Sequence, residues 1–366
     1  LIHRSPCRAR FSALPILPVI TAGGCIMFGI MAATRLEALH FTQDPATGLQ
    51  AIIAIHSTLL GPALGGCRYF AYADTHSAVA DAARLAQGMS YKAALAGLPF
   101  GGGKAVILRP PHVANRGALF EAFGRFIETL NGRYISAVDS GTKAFDMDCI
   151  AQQTQHVTST SSAGDPSPHT AMGVFAGIRS SAMARLGCDD LQGLRIAVQG
   201  LGQVGYALAE QLAAAGAELL VSDLDPGRVL LAVEQLGARA LHSDELAATP
   251  CDIFVPCGLG GVLDQATVAH LHCAVVAGAA NNQLASPEVA DLLEARGILY
   301  APDYVINSGG LIYVALQHQG AELPAISAQL TRIGQRLTDI YAQAQAQNRS
   351  PARVAAEQAE ALLYPH

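Results

Sequence analysis

The sequence predicts an α/β protein of two domains separated by a cleft, the second built on a doubly wound parallel sheet. Three observations carry this. At 366 residues the chain exceeds the size at which one hydrophobic core stops growing. From Leu36 onward, short apolar runs with strand character alternate with helical patterns. One stretch, Leu194 to Asp223, reads strand, glycine turn, helix, strand, acid. Hydrophobic residues make up 51% and charged residues 14% of the chain, yet no run is long enough to span a bilayer. A net charge of -6 without a basic patch argues against nucleic acid as a partner.

Residues 1–30 are read as an extension outside the fold. The chain starts at Leu1, and Arg4, Arg8 and Arg10 precede an apolar stretch from Ala13 to Ala22. A targeting segment has this pattern. An over-extended reading frame with its start at Met27 or Met31 explains it too and is preferred, because the rest reads as cytoplasmic. Residues 31–157 are expected to form the first domain. Leu49 to His56 has strand character. Asp74 or Thr75 can cap a long helix to Gly97, in which Ala78, Ala82, Leu85 and Met89 recur at helical spacing. Lys92 sits near its end. Gly101-Gly102-Gly103 gives a backbone that packs closely, and Lys104 to Leu108 follows as a buried strand. Lys104 is thus expected at a glycine-to-strand junction. Tyr134 to Asp139 is another short strand, ending in Asp139.

Thr158 to Ser167 is polar and rich in small residues, which suits an interdomain hinge. Pro168 to Arg185 reads as a helix. Leu194 to Gln199 is an apolar strand, and Gly200-Leu201-Gly202-Gln203-Val204-Gly205 follows at once. The glycines permit a tight turn and the close approach of a pyrophosphate. The following helix offers its N–H groups to the phosphates. Asp223 ends the next strand, placed to accept ribose hydroxyls and to repel a 2′-phosphate. The unit at 158–344 is therefore read as a Rossmann-type domain with NAD as cofactor. Ile253 to Val255, Cys273 to Ala277 and Ile298 to Ala301 continue its sheet. The tail from Ile326 to Leu363 reads as two amphipathic helices, the second capped by Ser350 before Pro351. Residues 345–366 are expected to pack back on the first domain.

Only three lysines occur, Lys92, Lys104 and Lys143, while the other twenty basic residues are arginine. Arginine keeps its proton in a protein, whereas a buried lysine can act as a base. Lys92 and Lys104, close together, would each lower the other's pKa. One ammonium can hold a substrate carboxylate, the other can polarise a reacting centre, and Asp139 can shuttle the proton. That combination, facing an NAD domain, suggests an amino- or hydroxy-acid dehydrogenase. The eight cysteines form no C-x-x-C pair, and the twelve histidines no metal-ligand spacing, so free thiols and no metal are expected. Lys143 is read as solvated or locally paired, and Arg68 as a support of the fold.

From Leu36 to Ala355 the sequence resembles the leucine/phenylalanine/valine branch of the amino-acid dehydrogenases, a superfamily that includes glutamate dehydrogenases. The segments that carry the resemblance are Gly61 to Arg68, Gly88 to Lys92, Gly101 to Lys104, Ala137 to Thr142, Asp146 to Asp148, Pro166 to Ala171 and Tyr304 to Gly310. The resemblance implies oxidative deamination of an L-amino acid to a 2-oxo acid by a homo-oligomer. It implies that Lys92 binds the α-carboxylate, that Lys104 is the base activating water, and that Asp139 moves protons at the amino nitrogen. Thr170, Gly200, Gly202, Gln203, Val204, Gly205, Asp223 and Asn282 match cofactor positions. Gly65, Met89, Ala137, Leu311 and Val314 match the side-chain pocket. Leu64 stands where glutamate dehydrogenases carry a lysine for the substrate's second carboxylate, so glutamate is disfavoured, and the bulky aliphatic Leu311 and Val314 favour leucine, valine or isoleucine. The departures are Val138 and Ser140 beside Asp139, Pro99-Phe100 before the glycines, Asn281 beside Asn282 and Gly258 after Cys257. They leave phenylalanine or tryptophan as an alternative substrate. A non-catalytic regulator that binds NAD or an amino acid is the alternative of another class.

Overall fold

Two separate sheets form from the two halves of the chain. A computed structural model of the protein describes residues 26–258 and 260–365. The first half runs α1 (Ile26–Thr34), β1 (Ala38–Asp44), β2 (Leu49–Ser57), β3 (Ala63–Phe70), α2 (Thr75–Leu95), β4 (Gly101–Leu108), α3 (Arg116–Glu128), β5 (Tyr134–Val138) and α4 (Ala144–Ala151). Its sheet has the order β1-β2-β4-β3-β5, with β3 parallel to both neighbours and the β1–β2 and β2–β4 pairs antiparallel. Both faces are covered. Ile52, Ala54 and Val106 pack against the α2 face through Ala78, Val79, Ala82 and Ala86. Ile53, Ile55, Ala105 and Ile107 point the other way, onto Phe120, Phe123 and Ile127 of α3 and Ile150 of α4. This two-residue alternation explains why β2 reads as an unbroken apolar run.

The second half runs α5 (Ser167–Leu186), β6 (Arg195–Gln199), α6 (Gln203–Ala214), β7 (Glu218–Ser222), α7 (Pro226–Leu236), β8 (Arg239–Ala240), α8 (Ser243–Leu246), β9 (Ile253–Pro256), α9 (Gln265–His270), β10 (Val275–Val276), α10 (Glu288–Ala295), β11 (Leu299–Tyr300), α11 (Asp303–Ile306), α12 (Gly309–His318), α13 (Leu323–Gln347) and α14 (Pro351–Leu363). Its strands are all parallel, in the order β11-β10-β9-β6-β7-β8. The order reverses beside β6, so the glycine turn after β6 opens at the topological switch point. Helices α5, α12 and α13 share one apolar cluster with this sheet and with Leu64 and Ala137 of the first half.

Several elements differ from the reading of the sequence. Residues 1–25 of the expected extension lie outside the described residues, but α1 begins at Ile26 and packs Met27, Ile30 and Met31 on the α2 face. Strand β4 begins at Gly101, so Lys104 is inside it and not at its start. The glycine run and the strand are one element because glycine is required there. A Cβ on Gly101 would lie 1.9 Å from the Ser57 carbonyl oxygen, and one on Gly102 would lie 2.0 Å from the Ser90 nitrogen. The motif from Ala63 to Arg68 proves to be most of β3, a central strand hidden from a pattern search by its two glycines. Ser350 precedes α14 as expected, but its hydroxyl makes no cap and faces Asp291 at 3.5 Å. Helix α14 does return to α2, where Tyr91 donates to Glu360 at 2.8 Å. The 158–167 segment is without helix or strand until Ser167, and its Ala163 carbonyl accepts from Tyr313 and Gln317, each at 2.6 Å.

Candidate active site

Glycines bring the first-half side chains together. Gly102 lets β4 touch α2 at Ser90, so Lys92, two residues along the helix, and Lys104, two along the strand, leave the same junction. On β3, Gly66 has no side chain where Asp139 stands. A Cβ there would lie 2.7 Å from the Asp139 Cβ. Asp139 follows β5 in a turn fixed by Thr142, whose hydroxyl accepts the Asp139 N–H at 2.9 Å. Lys104 Nζ lies 2.6 Å from Asp139 Oδ2. Arg68 Nε reaches the same oxygen at 3.2 Å, and its Nη1 pairs with Asp81 at 2.7 Å. Burial pushes the Asp139 carboxyl up, but the charge and hydrogen bond of Lys104, with Arg68, outweigh it and hold it below the usual range. Asp139 is therefore ionised at rest.

Lys92 behaves differently. Among the described residues it has no ion pair, and its Nζ donates to Asn281 Oδ1 at 3.0 Å, across the cleft. Burial lowers its pKa to about 8, with Lys104 pushing in the same direction and Asp303 and Asp139 opposing. Asp303 is raised by burial and lowered in part by Lys92. Its carboxylate accepts the Asn282 N–H at 2.5 Å, which secures a loop where Asn282 has φ +51°. Asn307 Nδ2 holds the same loop through the Ala279 carbonyl and Asn281 Oδ1, both at 3.1 Å.

On the nucleotide side, Gly200 has φ +97°, a left-handed conformation that favours glycine. A Cβ on Gly205 would lie 2.0 Å from the Gly200 carbonyl oxygen, so Gly205 is set by packing of the turn itself. Gly202 is different: the nearest atom to a Cβ there is Arg228 Nη1 at 3.9 Å. Open space above a glycine at the N-terminus of α6 fits a pyrophosphate. Asp223 Oδ2 accepts the Leu201 N–H at 2.6 Å, with Arg228 at 4.0 Å. Gln203 and Val204 form the first turn of α6. Thr170, near the start of α5, has its hydroxyl 2.6 Å from where a Cβ on Gly310 would be, beside the first turn of α12.

A cavity of about 1020 Å³ lies between the halves, lined by Arg68, Asp81 and Asp139 on one side and by Gly258, Asn282 and Asp303 on the other. Among the described residues no cluster of histidine, cysteine and acidic side chains could hold a metal ion, and no helix is long and apolar enough to cross a membrane.

Residues 36–156 match the model described as Glu/Leu/Phe/Val dehydrogenase, dimerisation domain, and residues 226–362 match Glutamate/Leucine/Phenylalanine/Valine dehydrogenase. The chain is 45% identical over 335 residues to leucine dehydrogenase of Geobacillus stearothermophilus, covering 90% of this chain and 91% of the relative. It belongs to the Glu/Leu/Phe/Val dehydrogenase family. Leucine dehydrogenase of Bacillus subtilis is 49% identical over 293 residues, 79% of this chain and 80% of the relative. The crystal structure of L-tryptophan dehydrogenase from Nostoc punctiforme superposes with a TM-score of 0.81 at 38% identity, over 92% of this chain and 98% of that one. The protein is thus an amino-acid dehydrogenase, an oxidoreductase acting on a CH–NH2 group.

Within this family frame, the expected residues divide into three groups. Lys92, Lys104 and Asp139 meet at one junction. Leu64, Ala137 and Val314 are buried in one apolar cluster, with Leu311 packed on it and Met89 half-buried. Gly65 belongs to the sheet: a Cβ would lie 1.7 Å from the Gly103 carbonyl oxygen, so packing alone already demands glycine. Reading the sequence missed Asp303, the contact of Asn281 with Lys92 and the placement of Arg68 against Asp139. Arg68 had a signal, its place in the Gly61 to Arg68 segment. Asp303 directly precedes the Tyr304 to Gly310 segment and had no other. Lys143 precedes α4, exposed and without an ion pair among the described residues.

Proposed function

We propose that the protein catalyses NAD-dependent, reversible oxidative deamination of a branched-chain L-amino acid to its 2-oxo acid and ammonia. The observation that carries the reading is the Lys104–Asp139 pair at 2.6 Å, beside a Lys92 that has no ion pair among the described residues and meets Asn281 across the cleft. Lys92 holds the α-carboxylate, exchanging its bond to Asn281 for the stronger bond to an anion. The amino group then lies toward Asp139, which takes its proton. The glycine turn and the first turn of α6 would hold NAD, which when bound would supply the acceptor for the α-carbon hydride. Lys104 in its neutral form takes a proton from water as that water adds to the imine carbon. Asp139 returns a proton to the nitrogen, and ammonia leaves the carbinolamine. Substrate, NAD and water thus give 2-oxo acid, ammonium, NADH and a proton.

The apolar wall of Leu64, Leu311 and Val314 favours leucine, valine or isoleucine, since one methylene in such a pocket is worth about 1–3 kcal/mol. A carboxylate buried against Leu64 would lack a partner. Asp223 disfavours the 2′-phosphate of NADP; Arg228 is half-exposed and also engages Asp225 at 3.5 Å. In this reading residues 31–157 bind the substrate, 158–344 bind NAD, and the two close about 158–167. The protein works as a homo-oligomer in the cytoplasm. The reading is tested by cofactor titration with NAD and NADP at saturating leucine. A kcat/KM higher with NADP would refute the role given to Asp223.

A further inference from the structure

Asp139 is held by two cations, only one of which the mechanism uses. Lys104 and Arg68 both engage Oδ2, and neither reaches Oδ1. Arg68 is in turn fixed from behind. Its Nη1 meets Asp81 Oδ2 at 2.7 Å, and that oxygen accepts from Tyr72 at 2.6 Å, while Asp81 Oδ1 accepts from Arg84 at 2.8 Å. The chain of charges runs from α2 through β3 to the end of β5, and all its members except Lys104 line the cleft.

We propose that Arg68, braced by Asp81, is a positioning residue that turns the Asp139 carboxylate so that Oδ1 faces the substrate nitrogen, and that keeps the carboxylate ionised until it takes the amino proton. The inference rests on the role given above to Asp139. Its physical basis is a difference between the two cations. Lys104 must be neutral to act as a base, and in that form it no longer stabilises the carboxylate that has to receive the amino proton. Arg68 never loses its charge. The other groups near Asp139 cannot replace it. Cys67 on β3 and Tyr134 on β5 are both pushed up by burial and stay neutral, and Lys92 makes no bond to Asp139. The fork matters as well as the charge. Nε points to Asp139 and Nη1 to Asp81, two directions that one ammonium cannot serve.

A staple that merely joins β3 to α2 would show the same distances, so the test uses a readout that a staple would not move. Arg68→Gln, Arg68→Lys and Asp81→Asn are made in the full chain, with melting temperature and NAD affinity as controls. For Arg68→Gln we expect kcat to fall about tenfold to a hundredfold, less than loss of a proton-transfer group itself would cost. We also expect the acid limb of kcat/KM to move to higher pH. Arg68→Lys should bring the limb back toward the parent's position while kcat stays low, and Asp81→Asn should move it slightly upward. Carbon-13 aspartate spectra, with Asp139 identified by Asp139→Asn, give its titration without any turnover. A limb and a titration that both stay at the parent's position in Arg68→Gln would overturn the inference. If Arg68→Gln does not fold, Arg68→Lys and Asp81→Asn are read by the same titration. A parent protein that turned over no amino acid would sink the assigned reaction, and the carboxyl titration would still decide the ion pair.

Discussion

Lys92 and Lys104 leave one helix–strand junction, and their surroundings give them different tasks. Lys104 has a carboxylate at 2.6 Å; Lys92 has an amide oxygen at 3.0 Å and no ion pair among the described residues. A cation whose only bonded partner is neutral is ready for an anion from outside. Lys104→Ala should lower turnover by roughly 10²–10⁴-fold while NAD affinity, measured by fluorescence quenching, stays near the parent's. Lost NAD affinity would mean misfolding or a misassigned role. The shortage of lysine makes Lys92 unusually easy to follow, because lysine labelled with carbon-13 gives three signals. One should titrate near pH 8 and move up when an unreactive carboxylate binds. The folded pKa lies below the ordinary 10.5, so the folded protein loses this proton first. The cost of burying the charge is present in full below about pH 8 and is relieved as pH rises toward 10.5. Lys92→Met should therefore raise the melting temperature near neutral pH more than above that window. No gain at neutral pH would contradict the burial argument.

At the scale of elements, the glycine turn between β6 and α6 separates packing from binding. Gly205→Ala forces a Cβ to within 2.0 Å of the Gly200 carbonyl oxygen, so both melting temperature and NAD affinity should drop. Gly202→Ala meets nothing closer than 3.9 Å and should leave the melting temperature alone, yet NAD affinity should fall because the pyrophosphate needs that space. Equal melting losses in the two variants would refute this division. Asp223→Ser should narrow the preference for NAD over NADP in steady-state kinetics. It should also cost some stability, since the carboxylate accepts the Leu201 N–H at 2.6 Å. An unchanged cofactor ratio would remove Asp223 from the ribose site. This unit was legible in the sequence because strand, turn, helix and acid all lie within thirty residues. Strand β3 was not, because Gly65 and Gly66 erase the alternation that marks a strand, and only its partners β4 and β5 explain them.

For the whole molecule, what the sequence hides is pairing over distance. Arg68 and Asp139 are 71 residues apart, Lys92 and Asn281 189, Tyr91 and Glu360 269. Lys104 and Asp139 could be named as candidates because few residue types can do their chemistry. Asn281 and Arg68 could not be placed, because amides and arginines are common and only the folded chain assigns them a neighbour. The same fold explains the long C-terminal return: α14 ties the nucleotide half to α2, the helix that carries Lys92. As proposed above, these pieces oxidise an aliphatic amino acid with NAD. The most direct measurement is NADH formation by the purified protein at alkaline pH with a panel of L-amino acids. Leucine, valine or isoleucine should exceed phenylalanine and tryptophan in kcat/KM, with no turnover of glutamate. A preference for an aromatic amino acid would contradict the use made of Leu64, Leu311 and Val314, and no turnover of any amino acid would contradict the account of the site.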